Sequence, residues 1–417
     1  MKDIFKKIIK EFHEKGIPRV YSRSYELPLN SGKVISVIGP RRSGKTFLFY
    51  DLISKLDDIT KAVYINFEDE RFNIKSTDLQ YIYDAYLELY PENDEIYFFF
   101  DEIQEIVGWE KFVRRSYDTI SKNIFITGSS AKLLSKEIAT SLRGRTITFE
   151  VLPLSFKEYL SFKEIPLEYI TSKEKAKIIS SFFDYFELGG YPELLFADPH
   201  FHKQIIKDYV DVMLLRDVIE RYGLQNTVSI DVLMKRCISS FAKELSVNKL
   251  FNELKSLGVK ISKENVYQYL AYFSEAYLVL PLELYSNKVS KKELRKIYLP
   301  DHSFCKLQKY FISENKGRIL ENIVFLQLMR LNLDSFYFKS KGECDFIIRA
   351  GLKIVNAIQV CYKLDVQNKP REVSGLIEAL THHSLTEGLI LTYDQEDEFV
   401  VDGKKIKVIP VWKWLLS

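Results

Sequence analysis

The 417 residues hold no pattern that would build a disulfide framework or a clustered zinc site. Cys237, Cys305, Cys344 and Cys361 are the four cysteines, and they are scattered with no C-x-x-C pair, a usage that suits reduced thiols. Long apolar runs are missing as well. No uninterrupted stretch approaches the length of a membrane span, and Met1-Lys2-Asp3-Ile4-Phe5-Lys6-Lys7 lacks the apolar core of a signal peptide. These absences set the expectation of a cytoplasmic chain without membrane contact. Nor is there a strong excess of one charge: 60 Lys and Arg stand against 57 Asp and Glu, a formal net charge of +3. Any nucleic-acid surface would therefore be a local patch. Internal repeats and low-complexity linkers are absent too, so domain boundaries are soft. What remains is ordinary globular material, 46% hydrophobic and 28% charged, enough for two or three domains.

Within it, Gly39-Pro40-Arg41-Arg42-Ser43-Gly44-Lys45-Thr46 fits the phosphate-binding loop G-x-x-x-x-G-K-[ST] at every fixed position. Val34–Ile38 before it reads as a buried strand and Phe47–Ile53 after it as an amphipathic helix. The glycines let backbone N–H groups converge on phosphate oxygens at a helix N-terminus. Lys45 is expected to reach the β- and γ-phosphates of a nucleoside triphosphate, and the Thr46 hydroxyl to hold Mg²⁺. Further apolar runs at 62–67, 95–100, 123–127 and 147–151 alternate with helical patterns. Continuous apolar strands separated by helices predict a parallel sheet covered on both faces.

The run at 95–100 leads into Asp101-Glu102, which places Asp101 for the Mg²⁺ shell and Glu102 to polarise a water, because buried acids at a strand end are costly unless a site uses them. Thr127-Gly128-Ser129-Ser130 ends the next strand with hydroxyls suited to sensing a γ-phosphate. Arg143 and Arg145, in Ser141-Leu142-Arg143-Gly144-Arg145-Thr146, are candidates for an arginine that neutralises charge in phosphoryl transfer, often from a neighbouring subunit. In this order and spacing, with Pro153–Tyr159 and Gly189-Gly190-Tyr191-Pro192-Glu193 behind them, the motifs resemble the AAA-plus-type ATPases of bacteria and archaea that pair an N-terminal P-loop domain with a C-terminal domain of unknown function. The resemblance runs through nearly the whole chain. It implies ATP binding and Mg²⁺-dependent hydrolysis, with Lys45, Thr46, Asp101 and Glu102 matching the family's core motif and residues 189–193 its lid segment.

Leu245–Pro281 has the cadence of a winged helix: a helix at 246–254, a turn, a second helix from Ser262, and an apolar strand pair around Tyr277–Leu280 as the wing. Lys263, Asn265 and Gln268 would face a major groove, with Lys249, Lys255 and Lys260 near phosphates. Past Ile297 the order of Glu321 at a helix opening, Asp345 on a strand and Gln359-Val360-Cys361 on the next resembles the PD-(D/E)xK nuclease core. Gln359 stands where that core has an acid and Cys361 where it has a lysine, so a fold without metal chemistry is expected. Lys363, taken to share the strand face of Cys361, offers a displaced lysine.

The expectation is thus an α/β chain: a P-loop NTPase parallel sheet over 1–152, a helical lid over 153–228, a winged helix over 229–296, and a PD-(D/E)xK-like α/β domain over 297–417. Its function is an ATPase coupled to double-stranded DNA in a homo-oligomer. A nucleotide-dependent switch that recruits a protein partner and an ATP-regulated nuclease are the alternatives.

Overall fold

The computed structural model describes residues 1–130, 142–286, 295–308 and 315–417, which form two compact units, 1–151 and 152–417. In the first, β1 (Val34–Ile38), β2 (Ala62–Asn66), β3 (Tyr97–Asp101), β4 (Ile124–Gly128) and β5 (Thr146–Glu150) form one all-parallel sheet in the order β2-β3-β4-β1-β5. Successive residues alternate between two apolar layers. Val34, Val63, Phe98, Phe100 and Ile126 pack with Phe5, Ile8 and Ile9 of α1 (Lys2–Lys15), Ile82 and Tyr86 of α3 (Gln80–Leu89), and Phe112 and Val113 of α4 (Trp109–Thr119). Ile35, Val37, Tyr64, Phe99 and Phe125 pack on Leu48, Phe49 and Leu52 of α2 (Lys45–Ile53). Burial on both faces is why β1 to β4 read as unbroken apolar runs. The strand order sets β4 between β1 and β3, so the residues ending these three strands converge at one edge.

In the second unit, helices α5 (Phe156–Phe162), α6 (Ser172–Leu188), α7 (Pro192–Phe196) and α8 (His202–Val212) precede a mixed segment. That segment runs α9 (Thr227–Ser239), β6 (Lys243–Leu245), α10 (Val247–Ser256), α11 (Lys263–Glu275), β7 (Leu280–Glu283) and β8 (Arg295–Tyr298). The three strands form an antiparallel sheet in the order β6-β8-β7. The strand pair expected around 277–280 is displaced: Tyr277, at φ 58°, turns the chain out of α11, and β7 starts only at Leu280. Its partner β8 is the strand that contains the expected boundary at 296/297, because Ile297 pairs with both Lys243 and Pro281.

Beyond lie α12 (Asn315–Arg330), β9 (Asp334–Lys339), β10 (Glu343–Ala350), β11 (Lys353–Val360), α13 (Lys369–His382), β12 (Glu387–Thr392), β13 (Asp397–Val401), β14 (Lys404–Pro410) and α14 (Val411–Leu416). The strands make a six-stranded sheet, β13-β14-β12-β11-β10-β9, parallel at β11–β12 and β12–β14 and antiparallel elsewhere. Helix α13 lies close on this sheet through a glycine contact. A Cβ on Gly375 would sit 2.1 Å from the Glu343 carbonyl oxygen. Among the described residues no helix is long and apolar enough to cross a membrane.

Candidate functional site

Gly39–Thr46 joins the end of β1 to the start of α2. Gly39 has φ 148°, and a Cβ there would lie 2.1 Å from the Val151 carbonyl oxygen, so only glycine fits. Gly44, at φ 99°, opens α2. Pro40 and Ser43 are buried, Arg42 is exposed at φ 64°, and Arg41 meets Glu68 at 2.5 Å. The Lys45 ammonium is 4% exposed and donates to the carbonyls of Gly39 and Pro40, both at 3.1 Å. It also stands 3.5 Å from Glu102 Oε1. The Ser43 hydroxyl is buried and, among the described residues, has no hydrogen-bond partner. Sequence reasoning missed Arg23, whose Nη1 donates to the Ser43 carbonyl at 2.8 Å. It lies before β1 with no motif to mark it.

At the neighbouring strand ends, Asp101 collects three hydroxyl donors. Thr46 Oγ1 and the Tyr64 hydroxyl donate to Oδ2 at 2.7 and 2.9 Å, and Thr127 Oγ1 donates to Oδ1. The Thr127 oxygen accepts in turn from the Glu102 N–H at 2.9 Å, so one hydroxyl engages both acidic positions. Gln104 Nε2 donates to Glu102 Oε2 at 2.6 Å, and Glu102 itself takes a left-handed φ of 50°. Such backbone in a non-glycine residue stores roughly 1–3 kcal/mol and holds the carboxylate toward the loop. The two acids titrate in opposite directions. Burial, then repulsion from Glu102, raises the Asp101 carboxyl above its usual range. Burial also pushes Glu102 upward, but Lys45, Arg41 and Gln104 outweigh it and hold Glu102 below its usual value. The result is an ionised Glu102 beside a cation and a hydroxyl-lined Asp101 beside Thr46, an arrangement that suits a water-activating base next to a Mg²⁺ anchor. Ser129 and Ser130, next after β4, are buried.

The arginines lie elsewhere. Arg143 is exposed at φ 52°, and Arg145 Nε is 3.2 Å from Asp118 Oδ1. The Arg145 carbonyl accepts from Val34 N–H at 2.8 Å, which fixes it at the start of β1, while the loop follows the end of that strand. The strand length between them is about 16 Å. The chain does not bring these arginines to its own loop. Ser141, in the same motif, is outside the described residues.

An uncharacterized protein of Methanocaldococcus jannaschii is 42% identical over 415 residues, spanning 96% of this chain and 92% of its own length. Another uncharacterized protein, from Haemophilus influenzae, is 30% identical and spans 92% of this chain and 94% of its own. The chain belongs to their family. Within it, residues 31–160 match the AAA domain family, and the parallel sheet with its loop is an AAA-type nucleotide-binding fold. Residues 179–309 match a domain of unknown function, DUF8612. That match ends before the six-stranded sheet, whereas the sequence reading had set the unknown domain at the C-terminus. Among solved structures, Cdc6p from Pyrobaculum aerophilum is similar at 13% identity and TM-score 0.26, over 71% of this chain and 90% of that one. The Aeropyrum pernix ORC1 protein in complex with DNA is similar at 10% identity and TM-score 0.28, over 73% and 92%.

The region of unknown function holds the expected lid glycines and the residues expected at a DNA groove. Gly189 ends α6 at φ 95°, and the Gly190 N–H donates to Asp301 Oδ2 at 2.7 Å. A Cβ on Gly189 would meet Asp301 Oδ1 at 2.2 Å, so the glycine pair allows this close approach. On α11, Lys263 and Asn265 are partly exposed and Gln268 donates to the Tyr272 hydroxyl at 2.6 Å. Lys249, Lys255 and Lys260 are exposed.

Past it, Glu321, Asp345, Gln359, Lys363, Arg371 and Glu372 line part of a cavity of about 1050 Å³. Leu320-Glu321-Asn322 lies in the second turn of α12 rather than at its opening. Cys361 and Lys363 both lie beyond the end of β11, which stops at Val360, so they share no strand face. Burial pushes the Cys361 thiol up to about 12, and it supplies no charge. Gln359 donates to Glu372 Oε2 at 2.7 Å, while its amide oxygen accepts from Asp345 N–H at 3.2 Å. Glu372 of α13, which lines the cavity, and Lys296 of β8, which pairs with Glu321 and Asp345 of its lining, were both missed, because no motif marks either.

Proposed function

We propose that the chain is a Mg²⁺-dependent ATPase of AAA-plus type whose hydrolysis is coupled to DNA binding or remodelling in a homo-oligomer. The observation that carries the reading is the convergence of Thr46, Asp101 and Thr127 within hydrogen-bond distance, with Lys45 and Glu102 3.5 Å apart beside them. Bound Mg²⁺ supplies charge neutralisation on the β- and γ-phosphates. Thr46 and Asp101 are the residues that would hold it, since a hydroxyl and a carboxylate already share one site. Lys45 leaves the loop carbonyls for the phosphates, Glu102 accepts a proton from the attacking water, and Thr127 positions both acids. Arg143 or Arg145 serves a neighbouring copy's site, an assignment that their distance from their own loop favours.

Two features of the second unit support the DNA reading. The order α9-β6-α10-α11-β7-β8 with sheet order β6-β8-β7 is compatible with a winged helix, which favours reading α11 as its recognition-type helix. The run α12-β9-β10-β11-α13-β12 has the helix and strand succession of a PD-(D/E)xK-like fold, here without the acid and lysine that its metal chemistry requires. The test is the ATPase rate of the full chain with and without double-stranded DNA, measured across a salt series. Stimulation that fades as salt rises is expected. Hydrolysis indifferent to DNA, with no salt-sensitive binding, would instead favour the nucleotide-dependent switch.

A further inference from the structure

Three carboxylates that line the C-terminal cavity, Glu321, Glu343 and Asp345, share a cation that the six-stranded sheet does not itself provide. Lys296 lies on β8 of the small sheet, with its side chain 2% exposed. Its ammonium is 3.0 Å from Glu321 Oε1 on α12, 2.8 Å from Glu343 Oε1 and 2.8 Å from Asp345 Oδ1 on β10. An ammonium has three N–H bonds; Lys296 donates one to Glu321 Oε1 and one to Asp345 Oδ1, and Glu343 stands beside it as an ion pair. Its charge is thereby committed to these three carboxylates. The remaining acceptor positions are also partly taken from within the chain. The Tyr298 hydroxyl donates to Glu321 Oε1 at 2.7 Å, and the Val360 N–H donates to Asp345 Oδ2 at 3.0 Å.

Carboxylate oxygens are the ligands that a hard divalent cation takes, yet among the described residues no group of three or more such side chains is placed to hold a metal ion. Here a covalently tethered cation already sits among Glu321, Glu343 and Asp345. We infer that Lys296 is an internal substitute for a metal ion: its ammonium occupies the cation position among Glu321, Glu343 and Asp345, clasps β8 to α12 and β10, and keeps the cluster closed to divalent cations. The cluster is then a fastener between the small sheet and the C-terminal sheet, and it becomes a metal site only when the lysine is removed. The inference does not depend on the ATPase reading.

Manganese binding to the nucleotide-free full chain, read by electron paramagnetic resonance, tests it. Wild type and Glu343→Gln are expected to bind the same number of Mn²⁺ ions, since the cluster takes none. Glu343 suits this comparison because its side chain is 38% exposed and tolerates the amide. Lys296→Met is expected to bind one additional Mn²⁺ per chain, lost again in Lys296→Met/Glu343→Gln, while Lys296→Arg gains none. If Lys296→Met folds only when Mn²⁺ is present, the same conclusion holds, because the metal then replaces the ammonium. A wild-type Mn²⁺ site that Glu343→Gln abolishes would overturn the inference, whatever the lysine variants do. So would a folded Lys296→Met that gains no ion.

Discussion

Replacing Asp101 with Asn separates what this carboxylate does for the fold from what it does for the nucleotide. Asp101 is 1% exposed and takes hydrogen bonds from Thr46, Tyr64 and Thr127. An asparagine oxygen at the Oδ2 position keeps the first two bonds, each weaker by about 1 kcal/mol once the acceptor is neutral. The amide nitrogen then faces Thr127 Oγ1, which already accepts from Glu102 N–H. That oxygen can accept twice, and the stranded threonine proton costs about 1–3 kcal/mol. Against a loss of about 3–5 kcal/mol stands the removal of a desolvated charge, worth several kcal/mol on the same scale. The sign of the pH dependence follows from the raised Asp101 carboxyl. The native state binds this proton more tightly than the unfolded chain, so the group's contribution is complete at low pH and is lost as pH rises. At neutral pH and above, Asp101→Asn should therefore lie within about 2 kcal/mol of wild type, or about 4–8 °C in Tm at most for a unit of this size. Nucleotide chemistry has no such compensation, and the Mg²⁺ needed for half-maximal ATP hydrolysis should rise about 10–100-fold. Calorimetric melting of the nucleotide-free chain from pH 5 to 9 and ATPase titrations with Mg²⁺ measure the two effects. A Tm lowered by more than about 10 °C, together with an unchanged Mg²⁺ requirement, would refute the reasoning.

Lys45→Ala removes an ammonium bonded to two loop carbonyls and should lower ATP turnover by about 100-fold or more, close to 3 kcal/mol of barrier, in a phosphate-release assay. Unchanged turnover would remove the loop from the catalytic site. Gly375→Ala drives a methyl group to within 2.1 Å of a backbone carbonyl, where neither side can yield cheaply. Urea denaturation should show the second unit destabilised by about 1–3 kcal/mol. Burial, then repulsion from Asp345, lifts Glu321 to about 7 from an ordinary 4.5. Its stabilising contribution is whole below pH 4.5 and disappears as pH climbs toward 7. Glu321→Gln, which cannot titrate, should gain on wild type over that interval by up to about 3 kcal/mol, and parallel pH profiles would contradict this.

The parts of the structure legible in the sequence are those whose residues are neighbours along the chain. The strand–loop–helix from Val34 to Ile53 was readable because glycine spacing and apolar runs are local signals, and the parallel sheet followed from strands buried on both faces. Convergence across strands was only partly legible: Asp101 and Thr127 end consecutive apolar runs, but Tyr64 lies inside β2 with nothing to distinguish it from a core tyrosine. Arg23 and Lys296 reach their sites from segments whose pairing sequence alone does not reveal. The C-terminal hairpin of β13 and β14 did carry a signal. Asp402-Gly403, with φ 49° and 72°, is the dipeptide that a tight hairpin turn selects, and it went unread between two strands rich in charge.

The clasp at Lys296 also acts as a check on alignment. Arg295, Lys296 and Ile297 follow one another on β8, and their side chains alternate between the two faces of the small sheet. A slip of one residue against β6 and β7 would turn the ammonium outward and present Ile297 or Arg295 to the carboxylates. Isoleucine would leave three converging acids with no counter-charge, and the broad planar guanidinium would have to fit a hole shaped for an ammonium. Antiparallel strands this short, four residues in β7 and β8 and three in β6, have few backbone bonds with which to reject a wrong pairing. The acids supply that discrimination, so one buried charge makes the correct pairing the only affordable one.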